Sequence, residues 1–316
     1  MNRLRRHVVA VVAGLLALAV GIALGGGPLS YVSGSSGTSS QAAEPEDTSP
    51  NQGSDLTPET ALYADAFTEL VAERAYADAL LGHPTAILVA PGVDQDFVDT
   101  MVAEVRRGGG GLTGVFTLAD TATDTGGASL VDKLGSQLVT QLDDTRLDPA
   151  APTYERFGQL LGLAISTPAK GGLRTSESAA TIRESLITAE LLDAPREARM
   201  APLVLVLMPP TPQTDDEEAG DALLAQAAVY NSVLVGLKAN SVGVVALADA
   251  ASARDGLLSL LRQDPGVTAQ IVTVDGAESS VGRVSAVLSL IASLHTSAGA
   301  FGPAGADGAP PLPEAP

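Results

Sequence analysis

The sequence predicts an α/β protein: a single N-terminal transmembrane helix followed by a doubly wound, mostly parallel five-stranded sheet domain. Three observations carry that expectation. Residues 8–24, VVAVVAGLLALAVGIAL, hold no charge, and the next charged side chain after them is Glu44. Further along, short continuous apolar runs alternate with amphipathic stretches, the pattern of strands buried on both faces with helices packed over them. Most of those runs stop at Pro, Gly or Asp, which break or cap regular structure.

The apolar segment sets the topology. Its ten Val, Leu and Ile residues contribute about 0.3–0.6 kcal/mol each to insertion, with nothing charged to oppose them. Seventeen helical residues rise roughly 26 Å, and continuing to Leu29 matches a hydrocarbon core of about 30 Å. Arg3, Arg5 and Arg6 precede the segment and no Lys or Arg follows until Arg74, so the positive-inside bias places the N-terminus in the cytoplasm and the bulk outside. Residues 1–30 are thus a cytoplasmic Arg stub and membrane helix. Ala23 and Gly25, small residues of the kind found at cleavage sites, keep a removable signal peptide as the alternative. Gly14, Gly21 and Gly25 share one helical face, where close backbone approach admits a homodimer or a partner membrane helix.

Residues 31–57, rich in Ser, Gly, Thr and Pro, read as a disordered tether, and residues 298–316 as a disordered tail of the same character. Between them, residues 58–297 form the extracytoplasmic α/β domain. A helix begins at Thr57, with Pro58 in the first-turn position, and runs to about Leu81. Strands follow at Thr85–Ala90, Leu112–Ala119, Pro202–Met208, Val242–Leu247 and Gln270–Val274. Helices are expected from Asp94 to about Arg107, over about 221–240, from Ser252 and over Ser279–Leu294, with a helical insertion at about 129–193.

Charge narrows the function. The chain carries 18 Lys and Arg against 37 Asp and Glu, and with the three N-terminal Arg set aside the remainder stands at −22. Such a body repels phosphate backbones, and 3% aromatic residues with no Trp give bases little to stack on, so nucleic acid is excluded as a partner. There is no cysteine for disulfides or thiolate chemistry. No P-loop, GxSxG or HExxH occurs, the first strand runs into PGVDQD instead of a Gly-rich turn, and no enzymatic activity or cofactor is expected.

Ligands of such sheets bind beyond the carboxyl ends of the strands. Asp94, Asp120, Asp249 and Asp275 follow four of the five predicted strands, and Asp215, Asp216, Glu217 and Glu218 follow the remaining one. These carboxylates are candidate ligands for a hard cation. An Asp at a strand-to-helix junction is also what a helix N-cap requires, and that is the competing reading.

Residues 4–29, LRRHVVAVVAGLLALAVGIALGGGPL, then 63–120 with the core HPTAILVAPGVDQDFVDTMVAEVRRGGGGLTGVFTLAD, and IVTVDGAESSVGRVSAVLSLIASL at 271–294, together resemble the actinobacterial MctB family. The resemblance covers nearly the whole chain in element order. It implies a part in copper efflux or homeostasis at the cell membrane or envelope, the family being assigned also to the outer membrane. Related SteB proteins imply the alternative, a non-enzymatic scaffold that binds a SteA-like membrane partner and regulates cell-wall hydrolysis and cell separation. Most members follow the membrane helix with a coiled coil, and this chain has a Ser, Gly and Pro tether in that place. Copper enters by this association alone. The soft and imidazole ligands copper prefers are scarce: no Cys, three His, and Met101, Met200 and Met208 beyond Met1. Met200 and Met208 flank one strand roughly 26 Å apart, too far to share a metal. A single helix supplies no pore unless it oligomerises.

Overall fold

A computed structural model of the protein describes residues 58–142, 146–195, 197–211, 217–296 and 298–313. The apolar N-terminal segment, with Gly14, Gly21 and Gly25, and the tether lie outside the described residues. The chain separates into a unit containing Met1–Val71 and a unit spanning Ala72–Glu314. Within the first, the described residues form the beginning of helix α1 (Pro58–Tyr76), where Tyr63 and Phe67 stack one turn apart with ring centroids 6.5 Å from each other.

The second unit is built on a sheet of seven strands in the order β3-β2-β1-β4-β5-β6-β7. They are β1 (Thr85–Val89), β2 (Leu112–Leu118), β3 (Leu192–Asp193), β4 (Leu203–Leu207), β5 (Gly243–Leu247), β6 (Val272–Val274) and β7 (Gly299–Phe301). All pairings are parallel except β2 with β3. The five expected strands are all present, so the expected count of five is corrected by two edge strands. β3 and β7 are two and three residues long, too short to carry a periodicity. β7 also falls in the Gly- and Pro-rich segment expected to be a disordered tail. It is held there by pairing Val272 with Gly299, Thr273 with Ala300 and Val274 with Phe301.

The inner strands β1, β4 and β5 are buried along their whole length. Alternate side chains enter two cores. On one face Ala86, Leu88, Phe116, Val204 and Val206 meet the helices α5 (Thr153–Ile165), α7 (Glu217–Lys238) and α9 (Leu257–Leu261), with Val267 of the short α10 (Pro265–Thr268) in the same core. On the other, Ile87, Val89, Leu205 and Leu207 meet α2 (Gln95–Arg107) and α11 (Ser280–Ala292). The α2 to β2 excursion leaves β1 in one direction. The insertion, made of α4 (Ala128–Leu142), α5 and α6 (Glu177–Thr188), returns the chain to β4 on the opposite side of β1. The direction in which successive strands are added therefore reverses between the parallel neighbours β1 and β4, and that switch in strand order opens a crevice at the strand ends.

The helix α5 is the centre of the insertion, with every residue from Arg156 to Ile165 buried. It crosses α7 backbone to backbone. A Cβ placed on Gly158 would lie 2.2 Å from the Val233 carbonyl oxygen, and one on Gly236 would lie 2.1 Å from that of Glu155. Among the described residues, Gly220–Lys238 of α7 is long and apolar enough by composition to cross a membrane. Val229, Tyr230, Val233, Leu234 and Leu237 from the same helix are core residues, which explains its apolar character without lipid.

Candidate functional site

A cleft of about 860 Å³ lies at the reversal point, between the segments that follow β1, β2 and β4 and the first half of α7. Pro91 and Gly92 border it after β1, and Pro209, Pro210 and Thr211 after β4. After β2 the chain forms the single turn α3 (Asp120–Thr123) and a 3₁₀ turn at Thr125–Gly127, which bring Asp120, Thr123, Asp124 and Thr125 to the wall. Asp255, the last residue of α8 (Ala250–Asp255), adds a third carboxylate. Among the described residues no Lys, Arg or His lines the cleft.

The four predicted carboxylates do not share one site. Asp94 caps α2, accepting from the amides of Asp96 at 2.8 Å and Phe97 at 3.3 Å. Asp249 caps α8 through the Ser252 amide at 2.6 Å and also binds Thr211, accepting from its amide at 3.1 Å and its hydroxyl at 2.9 Å. It thereby fixes the β4 side of the cleft from behind. Asp275 is fully buried after β6, where it pairs with Arg262 at 2.8 Å and accepts from the Ala304 amide at 3.0 Å. Asp120 alone of the four opens into the cleft. Asp215 and Asp216 lie outside the described residues, and Glu217 and Glu218 begin α7. Among the described residues no group of three or more His, Cys, Asp or Glu is placed to hold a metal ion.

Reading only the residue just after each strand missed Asp124 and Asp255, which reach the cleft by way of a short turn and a short helix. Asp120 and Asp124, spaced four apart, were visible as a pair. Asp255 had no comparable signal because its place depends on how α8 folds back.

The floor of the cleft holds Tyr230 of α7. Its ring is 1% exposed, and its hydroxyl, closed off from solvent, faces Thr123 and Asp120. Burial pushes its ionisation up to about 12, with the Asp120 charge adding to the rise and the Thr123 hydroxyl opposing it. Tyr154, on the neighbouring α5, donates to the carbonyl of Asp124 at 2.6 Å and steadies the turn that carries that carboxylate. Its ionisation is also raised, first by burial and then by the charge of Asp124.

The amides at the N-termini of α2 and α8 are already occupied by Asp94 and Asp249. The anion-binding capacity usual at such crevices is therefore absent at both helices. The sulfur and imidazole groups are dispersed. Met101 is fully buried between α2 and the sheet, Met208 lies in the opposite core, and Met200 is buried at the other end of β4. The Nδ1 of His83 lies 3.2 Å from the Lys170 carbonyl, and His295 is exposed beyond α11.

Residues 1–311 match the family model described as "Copper transport outer membrane protein, MctB". The chain belongs to the MctB family. Similar proteins include one from Mycobacterium bovis and others from two strains of Mycobacterium tuberculosis, each named "Copper transporter MctB". Each is 27% identical over 310 residues, covering 92% of this chain and 92% of the relative. The family is named for transport and not for an enzymatic reaction, and its description associates it with a membrane.

Proposed function

We propose that this chain is a single-pass envelope protein that takes part in copper efflux or homeostasis, with its α/β domain outside the cytoplasm. In this reading the domain is a folded body that recruits or regulates, and the metal does not pass through it. The match of residues 1–311 to the family carries the proposal, because it joins the apolar N-terminal segment and the α/β domain in one family unit.

The domain's construction supports the second part. Its strands are two to seven residues long, and the inner ones are covered on both faces. A membrane barrel needs strands of about ten residues with an apolar outer band alternating with a polar lumen. Copper(I) favours sulfur and copper(II) imidazole, while Met101, Met200 and Met208 serve as buried packing residues on separate parts of the sheet.

A deletion strain tests the reading. Loss of the gene should lower copper tolerance, restored by the full chain, with cell separation unchanged. Chained or lysozyme-sensitive cells with unaltered copper tolerance would overturn it in favour of the SteB-like scaffold. In the parent strain, protease added to spheroplasts should digest the α/β domain while sparing cytosolic proteins. Full protection would overturn the topology.

A further inference from the structure

We infer that the base of the domain, at the amino-terminal ends of β1 and β2, docks on an anionic phospholipid surface. This rests on the single-pass reading of residues 8–24 and adds an orientation to it, with the carboxylate-lined cleft turned away from the bilayer.

Four segments are fastened side by side to make the base. The turn after α1 packs on the end of α2, where the Leu80 amide donates to the Gly108 carbonyl at 2.8 Å. The loop at 170–173 closes against the same turn. The His83 Nδ1 lies 3.2 Å from the Lys170 carbonyl, and a Cβ on Gly172 would meet the Pro84 Cγ at 2.6 Å. Leu173 in turn exchanges both backbone bonds with Met200, at 3.1 and 3.0 Å. Leu81 is 70% exposed on this surface and Leu173 50%. Arg106, Lys170, Arg174 and Arg199 are exposed there too, and none of them pairs with a carboxylate among the described residues. Arg107 is held by the buried Glu104 at 2.7 Å. The exposed acids of these segments are Asp78 and Glu197, so cations are in excess on a body that is otherwise strongly anionic.

Arg174 and Arg199 point to the ligand. They are the next residues outward from the antiparallel bridge between Leu173 and Met200, and one step further the Thr175 hydroxyl donates to the Ala198 carbonyl. The two arginines therefore hold facing positions. Like charges directly opposite each other destabilise such a pairing, and a phosphate group between them removes the repulsion and matches the planar guanidinium forks. Two further facts select a bilayer over an acidic protein. Apolar side chains beside Lys and Arg are the composition of interfacial surfaces, the former entering the acyl boundary while the latter meet the headgroups. The bilayer is also close at hand. Residues 30–57 join the apolar segment to α1, and these 28 residues span at most about 100 Å when extended, so the surface is met as an intramolecular partner. Charge selects the face, because Asp120, Asp124 and Asp255 line the cleft at the carboxyl ends of the strands and an anionic surface repels that end.

The test uses the full chain, which has no cysteine of its own, in nanodiscs of phosphatidylcholine with and without about a third phosphatidylglycerol. Gly171→Cys puts a fluorophore at the base and Gly220→Cys one at the cleft, and both glycines are exposed with nothing within 4 Å of an added Cβ. A headgroup-borne quencher should dim the label at 171 strongly in anionic discs and weakly in neutral ones, and molar salt should restore its emission. The label at 220 should stay bright in both. Combining Lys170→Gln, Arg174→Gln and Arg199→Gln removes three charges, each worth about fivefold near such a surface, and should lower the ratio of docked to undocked domain by about a hundredfold. All three side chains are exposed, so the fold should persist by circular dichroism, and the lipid and salt comparisons need no variant. A chain that does not enter neutral discs overturns the anchor and this inference with it. In a chain that enters them, equal quenching at both labels, equal quenching in both lipids, or undiminished quenching in the triple variant overturns the docking alone. Energy transfer between labels at 171 on two copies, without lipid quenching, assigns the face to a second copy and likewise overturns it.

Discussion

Replacing Arg262 with Met isolates the contribution of the clasp that holds the C-terminal edge strand. The Arg262 side chain is 11% exposed and Asp275 is fully buried, so in the variant the carboxylate stays in the interior without its cation. The guanidinium also donates to the Phe301 carbonyl at 2.9 Å and to the Thr273 hydroxyl at 3.0 Å, which ties β7 to β6 from the side. Breaking one partner of a buried pair costs about 3–5 kcal/mol, against a total stability of about 5–15 kcal/mol for a domain. With a urea m-value of about 3 kcal/mol/M, the unfolding midpoint should fall by about 1–1.7 M. Hydrogen exchange should quicken at the Asp275 amide, which donates to the Phe301 carbonyl, and at the Ala304 amide. Adding Asp275→Asn to Arg262→Met removes the stranded charge and keeps an acceptor for Ala304, so much of the loss should return. A loss below about 1 kcal/mol in the single variant, with both amides as slow as before, would refute the reasoning.

Other expectations follow from single features. Gly236→Ala places a methyl 2.1 Å from the Glu155 carbonyl oxygen. It should therefore destabilise by about 1–3 kcal/mol or more in denaturant unfolding despite alanine's higher helix propensity. Gly220→Ala, in the first turn of the same helix with nothing within 4 Å, should be neutral or stabilising by up to about 1 kcal/mol. Tyr230 has its folded-state ionisation raised to about 12, first by burial. Stability from this group is complete below about pH 10, the unfolded value, and should be lost as pH rises from there through about 12. Tyr76 acts in the same direction, raised by burial and then by its 2.7 Å hydrogen bond to Glu104. Phenolate absorbance at high pH should show these two rings ionising after the exposed Tyr63, and Tyr230→Phe should flatten the alkaline loss of stability. Asp249→Ala removes a cap and both bonds to Thr211, and should cost about 1–3 kcal/mol by thermal unfolding.

The five inner strands were legible because a strand covered on both faces is nearly continuous in Val, Leu, Ile and Ala. LVLVL at 203–207 and GVVAL at 243–247 are runs of that kind, short and β-branched-rich between turn residues, and both are buried along their whole length. The edge strands were not legible. Leu192–Asp193 and Gly299–Phe301 are defined by backbone pairing with a neighbour already in place, and pairing of that kind leaves no local signature in side chains. The Gly- and Pro-rich end misled for a physical reason. Its order comes from contacts distant in sequence, the Arg262 bond to Phe301 and the Asp275 bond to Ala304, which outweigh its weak local preferences. In the same way four carboxylates at strand ends looked equivalent, and only the fold divided them into two caps, one buried ion pair and one side chain open to the cleft.

By itself the sequence determined the acidic charge, the absence of cysteine, the uncharged apolar segment at residues 8–24 and the alternation of buried strands with helices. All of these are properties of composition or of spacing within about a dozen residues. Only the tertiary structure decided which carboxylates meet, since Asp120, Asp124 and Asp255 come from two chain segments more than a hundred residues apart and converge where the sheet reverses. It alone also placed Tyr230 beside Thr123 and Asp120 with its hydroxyl closed off from solvent, because burial is a relation between a group and its neighbours in space and no single residue encodes it.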